Sequence, residues 1–303
     1  MEDENLDLLK QCSICPRNCK IDRTNGKFGF CKSSDKVKVA RVSLHQWEEP
    51  CISGEEGSGT VFFSGCNLNC VFCQNHDISQ EGIGKEITIE RLSDIFLEQQ
   101  LRGANNINLV TPTHYAVQIV EALKISKKKG LKIPVVYNSN GYEALHTLEL
   151  LKGFVDVFVP DLKYFKDEYG LRYSKVPHYF STASQAIEKM VDIAGEVKFD
   201  EKGMIKKGVI IRHLMLPGLL FDSKKIVDYI NKTFGDKVYL SLMNQYTPMF
   251  KAEEYKEINR PLKKSHYDSL IDYCLEIGIK NAFIQDEGTD EKSYVPEFDL
   301  RGV

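Results

Sequence analysis

The alternation of short apolar stretches with amphipathic ones is the feature of this sequence that most limits its fold. Apolar stretches of strand length occur at residues 60–63, 106–110, 134–138, 155–159, 209–216, 238–243 and 282–285. Between them, apolar residues recur with helical spacing at residues 89–101, 116–129, 144–152, 185–193, 224–234 and 266–277. Repeated strand–helix units of this length predict an α/β fold with a parallel sheet and crossover helices. A charged, glycine-containing segment at 198–207 interrupts this alternation of strands and helices and predicts an exposed hairpin or lid, or a solvated loop.

The composition is that of an ordinary globular protein and gives no sign of a nucleic-acid or membrane partner. Of the 303 residues, 42% are hydrophobic and 27% are charged, enough for one large core or two modest ones. The net charge of −3 and the lack of a basic stripe argue against nucleic-acid binding. No apolar run reaches the length of a membrane span, and the acidic N-terminus lacks the features of a signal peptide.

The cysteine content points to metal binding in a reducing compartment. Nine cysteines in a chain without an export signal favour metal ligation over disulfides, so we expect a cytoplasmic protein. Two of the nine are isolated in the sequence. Cys274 lies in an apolar helical pattern and is expected to pack in the core. Cys51 precedes a glycine-rich loop, and we expect no required role for it.

Three of the cysteines lie close together, directly after the first apolar stretch. Cys66, Cys70 and Cys73 have the spacing CxxxCxxC, with Phe72 just before the third. Three thiolates from one short loop can each bind one iron of a 4Fe–4S cluster, which leaves the fourth iron without a protein ligand. An open position on a redox metal is where chemistry occurs. A zinc site or a buried turn is the alternative, but CxxxCxFC after an apolar strand favours the cluster.

This cysteine loop resembles that of the radical S-adenosylmethionine (SAM) superfamily. The chain is most similar to its pyruvate formate-lyase activating enzyme-related (PflX-like) branch, through matching runs at residues 48–50, 65–68, 106–112, 141–143 and 212–214. The resemblance implies a partial (β/α)6 barrel and a cluster whose open iron is chelated by SAM. It implies that Cys66, Cys70 and Cys73 are the catalytic cluster ligands, that SAM is cleaved reductively to a 5'-deoxyadenosyl radical, and that Phe72 lies near the adenine.

Four further cysteines fall within the first 31 residues, in a segment too poor in apolar residues to form a core. These are Cys12, Cys15, Cys19 and Cys31. Four thiolates without regular secondary structure between them predict a metal-binding knuckle whose folding depends on the metal. Their spacing does not decide between a structural zinc and a second iron–sulfur cluster that relays electrons to the first. We therefore predict a cysteine-rich metal-binding segment over residues 1–50 and a barrel over residues 51–303.

Asp161 and Lys163 follow the fourth apolar stretch, where parallel barrels carry their working residues. Their spacing puts both side chains on one face of an extended strand. A buried carboxylate and a buried ammonium each need a partner, and zwitterionic SAM offers both signs of charge. The Asp-Leu-Lys triplet also resembles that of pyruvate formate-lyase activating enzyme, which implies a position around the methionine end of SAM. A structural ion pair is the alternative.

Two other strand ends carry polar residues that the resemblance associates with SAM. Thr111, Thr113 and His114 stand where the superfamily often has a Gly-Gly-Glu segment that holds the amino group of SAM, a pattern that this chain lacks. We keep Thr111 as a candidate. Asn138 and Asn140 look like part of the Thr-Asn-Gly segment of glycyl-radical-enzyme activases, which suits the SAM ribose. Capping of the next helix or support of a turn is the alternative for both asparagines.

The last two strand ends complete the predicted SAM site. Arg212 and His213 precede a Pro-Gly turn, as in the activase segment whose strand arginine reaches SAM or its carboxylate. Strand alternation sends these two side chains to opposite faces, and the sequence does not decide which faces the site. Arg212 is the candidate ligand. Gln245, with Asn244 beside it, stands where activases have a histidine near the adenosine, and we expect hydrogen bonds from it to adenosine or substrate.

Together these features predict a radical SAM oxidoreductase that abstracts a hydrogen atom, in the manner of a glycyl-radical-enzyme activase. Modification of a small molecule, a peptide or RNA is the alternative within the class. A noncatalytic iron–sulfur electron-transfer protein is the alternative outside it, but an electron carrier needs no ring of polar strand ends. The expected partners are an electron donor such as a flavodoxin or ferredoxin and, for an activase, a glycyl radical enzyme as protein substrate.

Overall fold

The computed structural model describes residues 3–285 and 296–303. Within these residues the strands are β1 (Val37–His45), β2 (Ser58–Phe63), β3 (Lys85–Ile87), β4 (Ile107–Val110), β5 (Val135–Ser139), β6 (Val157–Pro160), β7 (Lys198–Phe199), β8 (Ile205–Leu214), β9 (Tyr239–Met243) and β10 (Ala282–Ile284). The α-helices are α1 (Asp3–Lys10), α2 (Pro50–Ser53), α3 (His76–Ser79), α4 (Ile89–Leu101), α5 (Ala116–Lys128), α6 (Leu145–Leu151), α7 (Asp167–Ser174), α8 (Tyr179–Ala194), α9 (Leu220–Phe234) and α10 (Lys264–Glu276).

One mixed sheet organises the described residues, in the order β10-β9-β8-β6-β5-β4-β2-β1-β3, with β7 paired to β8. Neighbouring strands from β2 to β10 in this order are parallel, and each consecutive pair is joined by a helical crossover. The six crossovers confirm the predicted α/β class and the partial (β/α)6 barrel. Strands β2, β4 and β6 are buried along their whole length, as expected where both sheet faces are covered.

The predicted helices are all present, and the boundaries of α4 agree with the prediction. The Thr88 hydroxyl accepts a hydrogen bond from the Arg91 backbone nitrogen and thereby starts α4 at the predicted residue. The charged segment at 198–207 forms the predicted hairpin, in which β7 pairs with the first residues of β8. Helices α8 and α9 begin several residues earlier than their apolar patterns predicted.

The sequence analysis did not predict strands β1 and β3 or helices α1, α2, α3 and α7. β1 mixes charged and apolar residues, which is typical of an antiparallel strand with one exposed face. It pairs antiparallel with both β2 and β3. The sheet therefore includes residues 37–45, which lie before the predicted boundary between residues 50 and 51.

Residues 297–303, which we call the C-terminal strap, cover the free part of the β1 edge. The Val42 nitrogen donates to the Arg301 carbonyl oxygen (2.8 Å), and the Leu300 nitrogen donates to that of Ala40 (3.1 Å). Arg41 pairs with Asp299 across the same contact at 3.0 Å. The strap thus satisfies backbone groups that an edge strand would otherwise leave open. No described helix combines the length and the hydrophobicity that are needed to cross a membrane.

Candidate functional site

A cavity of about 430 Å³ opens at the carboxyl ends of the parallel strands. All eleven residues predicted for the cluster and SAM line it: Cys66, Cys70, Phe72, Cys73, Thr111, Asn138, Asn140, Asp161, Lys163, Arg212 and Gln245. They come from separate strand ends that lie far apart in the sequence, and the parallel sheet brings these ends to one edge. Their individual roles toward SAM stay predictions.

The loop after β2 presents its three thiols on one side, and neighbouring segments hold it in place. Backbone hydrogen bonds join Asn69 and Val71 to the end of α7, at 3.1 and 2.8 Å. Each thiol also has a polar neighbour. The Cys70 sulfur lies 3.0 Å from the Ser174 hydroxyl, and the Cys73 sulfur lies 3.3 Å from that of Ser79. The Leu68 nitrogen donates to the Cys66 sulfur at 3.3 Å.

This donor set fits an iron–sulfur cluster. Burial raises the pKa of the Cys70 thiol to about 11, and it raises that of Cys66 further. Without a metal these thiols are protonated at neutral pH, so the positive charge of a metal is required to hold them as thiolates. Hydrogen bonds to cluster sulfurs adjust reduction potentials, and Ser174, Ser79 and the Leu68 nitrogen are placed to make them.

Asp161 and Lys163 form an ion pair on the cavity wall. The Lys163 ammonium lies 2.5 Å from the Asp161 carboxylate, and both side chains are mostly buried. Burial lowers the pKa of Lys163, but the Asp161 carboxylate, Cys70 and Tyr179 together outweigh this effect, and the pKa is raised. The ammonium also counteracts the rise in the pKa of Cys70 that burial causes. A fixed positive and a fixed negative charge therefore stand beside the cysteine loop.

Arg212 faces the cavity and His213 faces away from it, which answers the question that the sequence left open. The two nitrogens of His213 lie 2.7 Å from the Leu162 carbonyl oxygen and 2.9 Å from the Ser223 hydroxyl. His213 thus joins β8 to α9. Burial lowers its pKa to about 4, so the ring is neutral at pH 7.

The Arg212 guanidinium lies between two buried carboxylates that the sequence analysis did not identify. It donates to Glu49 at 2.8 and 2.5 Å and also pairs with Glu48. At most 11% of each of these three side chains is exposed. Two carboxylates on one guanidinium leave a net charge of about −1. Residues 48–50 belong to one of the runs that carry the family resemblance. The sequence around them gives no sign that Glu48 and Glu49 contact Arg212, which lies more than 160 positions further along the chain.

Thr111 reaches the cavity through an unusual backbone conformation. It has a φ of +58°, in the left-handed region that β-branched residues rarely adopt. Strain of this kind is often found at functional sites. Thr113 and His114 instead turn into the interior. The Thr113 hydroxyl donates to Glu143 at 2.6 Å, and the His114 ring lies 2.8 Å from the Ser64 carbonyl oxygen.

Amide side chains and aromatic rings complete the cavity wall. The Asn140 amide nitrogen donates to the Asn67 side chain at 2.7 Å and lies 3.5 Å from the Cys66 sulfur. Asn140 therefore supports the cysteine loop directly. The Gln285 amide nitrogen donates to the Gln245 side-chain oxygen at 2.8 Å, which orients that side chain. The Phe72 ring packs edge-on against Tyr246, with centroids 5.8 Å apart.

The four N-terminal cysteines lie beside this site and are largely shielded from solvent. Cys12, Cys15 and Cys31 are buried and Cys19 is half-buried. Burial, together with the thiols of Cys31 and Cys12, raises the pKa of the Cys15 thiol to about 12, so these thiols are close enough to interact.

Two arginines anchor this cysteine segment. Arg17 donates to the Asn67 carbonyl oxygen (2.9 Å) in the cluster loop and to that of Lys175 (2.7 Å). Arg23 is fully buried and donates to the carbonyl oxygens of Ser34 and His114. Among the described residues no carboxylate pairs with Arg23. A buried cation of this kind calls for a nearby negative charge.

Comparison with known proteins identifies the class. The profile of the Radical SAM superfamily matches residues 60–230, more than half of the chain, and the chain belongs to this superfamily. An uncharacterized protein of Methanocaldococcus jannaschii is 35% identical over 266 residues, which cover 84% of this chain and 72% of that protein. The pyruvate formate-lyase-activating enzyme of Clostridium pasteurianum is 28% identical over 171 residues, which cover 54% of this chain and 64% of that enzyme.

Solved structures share the fold. Streptococcus suis SuiB bound to the precursor peptide SuiA superposes with a TM-score of 0.53 at 15% identity, over 74% of this chain and 47% of SuiB. The FeFe-hydrogenase maturase HydG of Carboxydothermus hydrogenoformans superposes with a TM-score of 0.52 at 16% identity, over 72% of this chain and 50% of HydG. The chain thus spans about half the length of these two proteins. At these identities the likeness concerns the fold alone.

Proposed function

We propose that this protein cleaves SAM reductively and uses the resulting radical to abstract a hydrogen atom from a substrate. The observation that carries the proposal is that Cys66, Cys70 and Cys73 line the same cavity as the Asp161–Lys163 pair and the polar ends of the neighbouring strands. An electron carrier would need the cysteines but not this wall. When bound, the reduced cluster and SAM together supply a 5'-deoxyadenosyl radical.

The chain's own residues have separate tasks in this proposal. Cys66, Cys70 and Cys73 hold the cluster and leave one iron open for SAM. Asp161 and Lys163 orient the charged methionine end of SAM. Thr111, Asn138, Asn140, Phe72 and Gln245 border the space left for the ribose, the adenine and the substrate. Arg212 contributes to SAM binding as part of its ion-pair network with the two glutamates.

We propose further that the hydrogen donor is a glycyl radical enzyme, as for an activase of the PflX-like branch. The supporting observation is the similarity to the pyruvate formate-lyase-activating enzyme of Clostridium pasteurianum. The electron would come from a flavodoxin or ferredoxin. All nine cysteines are free, in keeping with a reducing compartment such as the cytoplasm. We also propose that the N-terminal cysteines hold a metal centre, zinc or a second iron–sulfur cluster, whose thiolates would neutralise Arg23.

The first test is SAM cleavage by anaerobically reconstituted protein reduced with dithionite. We expect 5'-deoxyadenosine and methionine in equal amounts from the wild type, and neither product from Cys70→Ala. Cys51→Ala is the matched control, because it also removes a buried thiol but lies outside the cavity lining. An intact, reducible cluster that forms neither product would contradict the proposal and favour an electron carrier.

The activase subtype needs a separate test. A glycyl radical enzyme that is the substrate of a known activase is mixed with the reduced protein and SAM. Formation of its glycyl radical is followed by electron paramagnetic resonance. A radical that appears only with SAM and an intact Cys70 supports the activase. SAM cleavage without any radical on the protein would point to a different substrate class within the superfamily.

A further inference from the structure

The packing of the N-terminal cysteines against the cluster loop carries an inference about which metal they hold. Gly65, next to the cluster ligand Cys66, adopts a φ of +89°. A methyl group added at Gly65 would lie 2.7 Å from the Cys31 carbonyl oxygen. The backbones of the two cysteine sites therefore touch, and a centre bound at one lies next to a centre bound at the other.

Arg17 forms a second connection between the two sites. Its hydrogen bond to the Asn67 carbonyl oxygen ties the N-terminal segment to the residue between the two cluster ligands Cys66 and Cys70. A cation between two thiolate-bound metal centres lowers their mutual repulsion.

The separation of the sulfur atoms distinguishes zinc from a cluster. Four thiolates on one zinc ion, at about 2.3 Å each, would lie about 3.8 Å apart. Among the described residues, which include all nine cysteines, no three cysteine sulfurs lie within 4.8 Å of one another. Thiolates that bind different irons of one cluster are spaced more widely than ligands of a single ion. In this respect the N-terminal cysteines are like Cys66, Cys70 and Cys73, which also form no group as compact as the ligands of a single ion.

The surface of this segment suits an acidic redox protein. Lys20, Lys27 and Lys32 are exposed on the loops that carry the cysteines. Phe28 lies among them with 63% of its side chain exposed. Positive charge around an exposed aromatic residue steers and holds an acidic partner.

We propose that Cys12, Cys15, Cys19 and Cys31 bind a second 4Fe–4S cluster through which electrons reach the SAM cluster. A reduced acidic one-electron carrier of the flavodoxin or ferredoxin class gives one electron to the second cluster and is itself oxidised by one electron. The second cluster passes that electron to the SAM cluster and returns to its oxidised state. No bond or proton changes in either transfer. The relay rests on the proposed function, whereas the metal assignment does not.

The metal is tested with a variant that lacks the SAM cluster, Cys66→Ala/Cys70→Ala/Cys73→Ala. After anaerobic reconstitution we expect about four irons and four sulfides per chain, and an electron paramagnetic resonance signal on reduction with dithionite. One zinc per chain, or a folded protein without metal, would overturn the assignment. If this variant does not fold, the iron content of the reconstituted wild type is measured instead. About eight irons per chain support a second cluster, and about four contradict it.

The relay is tested by following reduction of the SAM cluster directly, without SAM turnover. Cys15→Ala is compared with the wild type and with Cys51→Ala, using either reduced flavodoxin or dithionite. We expect reduction by flavodoxin to slow about tenfold or more in Cys15→Ala alone, while dithionite, a small reductant, acts as before. Equal rates with flavodoxin refute the relay, and equal losses with both reductants show a purely structural role. Because no step requires SAM cleavage, these outcomes are independent of the SAM-cleavage test.

Discussion

Single side chains set the charge of the cavity wall, and the proposal of SAM binding depends most on Lys163. We expect Lys163→Met to weaken SAM binding about 10- to 100-fold, because a hydrogen bond to a charged group contributes about 1.5–3 kcal/mol. The substitution also leaves Asp161 buried without a counterion. Equilibrium dialysis with the reconstituted protein measures this affinity.

The matched control for this prediction is Lys166→Met, which removes an exposed lysine that pairs with Glu168. It should leave the affinity for SAM unchanged. If the Asp161–Lys163 pair is purely structural, Lys163→Met will lower the free energy of unfolding but change SAM affinity by less than about twofold. That result would remove both residues from the SAM site.

His213 makes folding stability sensitive to acid. Its pKa is about 4 in the folded protein, since burial disfavours the charged ring, against about 6.5 when unfolded. Between these values the unfolded chain binds more protons, so stability falls as the pH falls from about 6.5 to 4, by up to about 3 kcal/mol. Urea unfolding across this pH range should show a shallower loss for His213→Gln. His266→Gln, at a partly exposed position on α10, is the control. If the unfolding free energy of His213→Gln falls with pH as steeply as that of the wild type, the prediction is wrong.

At the scale of elements, the turn after β5 sets the distance between two strand ends. Gly141 has a φ of +79°, and a methyl group added there would lie 2.3 Å from the Asp161 carbonyl oxygen. We expect Gly141→Ala to displace Asp161 and to weaken SAM binding as well as folding. Gly153 has a similar φ of +82° and nothing within 4 Å, so Gly153→Ala should cost only the conformational penalty of about 1–2 kcal/mol.

Urea unfolding and equilibrium dialysis of both glycine variants separate strain from steric contact. Equal losses of stability in Gly141→Ala and Gly153→Ala would show that the contact with Asp161 is relieved at no cost. A loss of SAM affinity confined to Gly141→Ala would confirm that the turn after β5 positions the Asp161 strand end.

For the whole molecule, the C-terminal strap closes the β1 side of the sheet. Deletion of residues 297–303 should lower the unfolding midpoint by several degrees, because β1 loses backbone hydrogen bonds along its edge and Phe62 loses its contact with Phe298. Differential scanning calorimetry measures this shift. Arg301→Ala is the control, since it keeps the carbonyl oxygen that Val42 uses. An unchanged midpoint after the deletion would mean that the strap contributes nothing to stability.

Across the molecule, predictions from the sequence were right where the signal is local. Helix α4 and the six crossovers follow from hydrophobic periodicity within a few residues. The eleven cavity residues were found from their position near strand ends together with the resemblance to the radical SAM superfamily. β1 was not predicted because charged residues stand between its apolar ones, so the sequence shows no continuous apolar stretch there. Its buried face is recognised only when the neighbouring strands are known. The positive φ of Thr111 was also not predictable, because a β-branched residue adopts it only under the constraint of surrounding structure.

The sequence by itself determined the class of fold and the cofactor chemistry, because hydrophobic period and cysteine spacing act over short distances along the chain. Only the tertiary structure decided that Arg212 rather than His213 faces the cavity, and that Glu48 and Glu49 bind it there. It also decided that Cys31 lies against Gly65, which places the N-terminal cysteines next to the cluster loop. These are contacts between distant segments, and sheet order and packing select them without leaving a pattern in either segment alone.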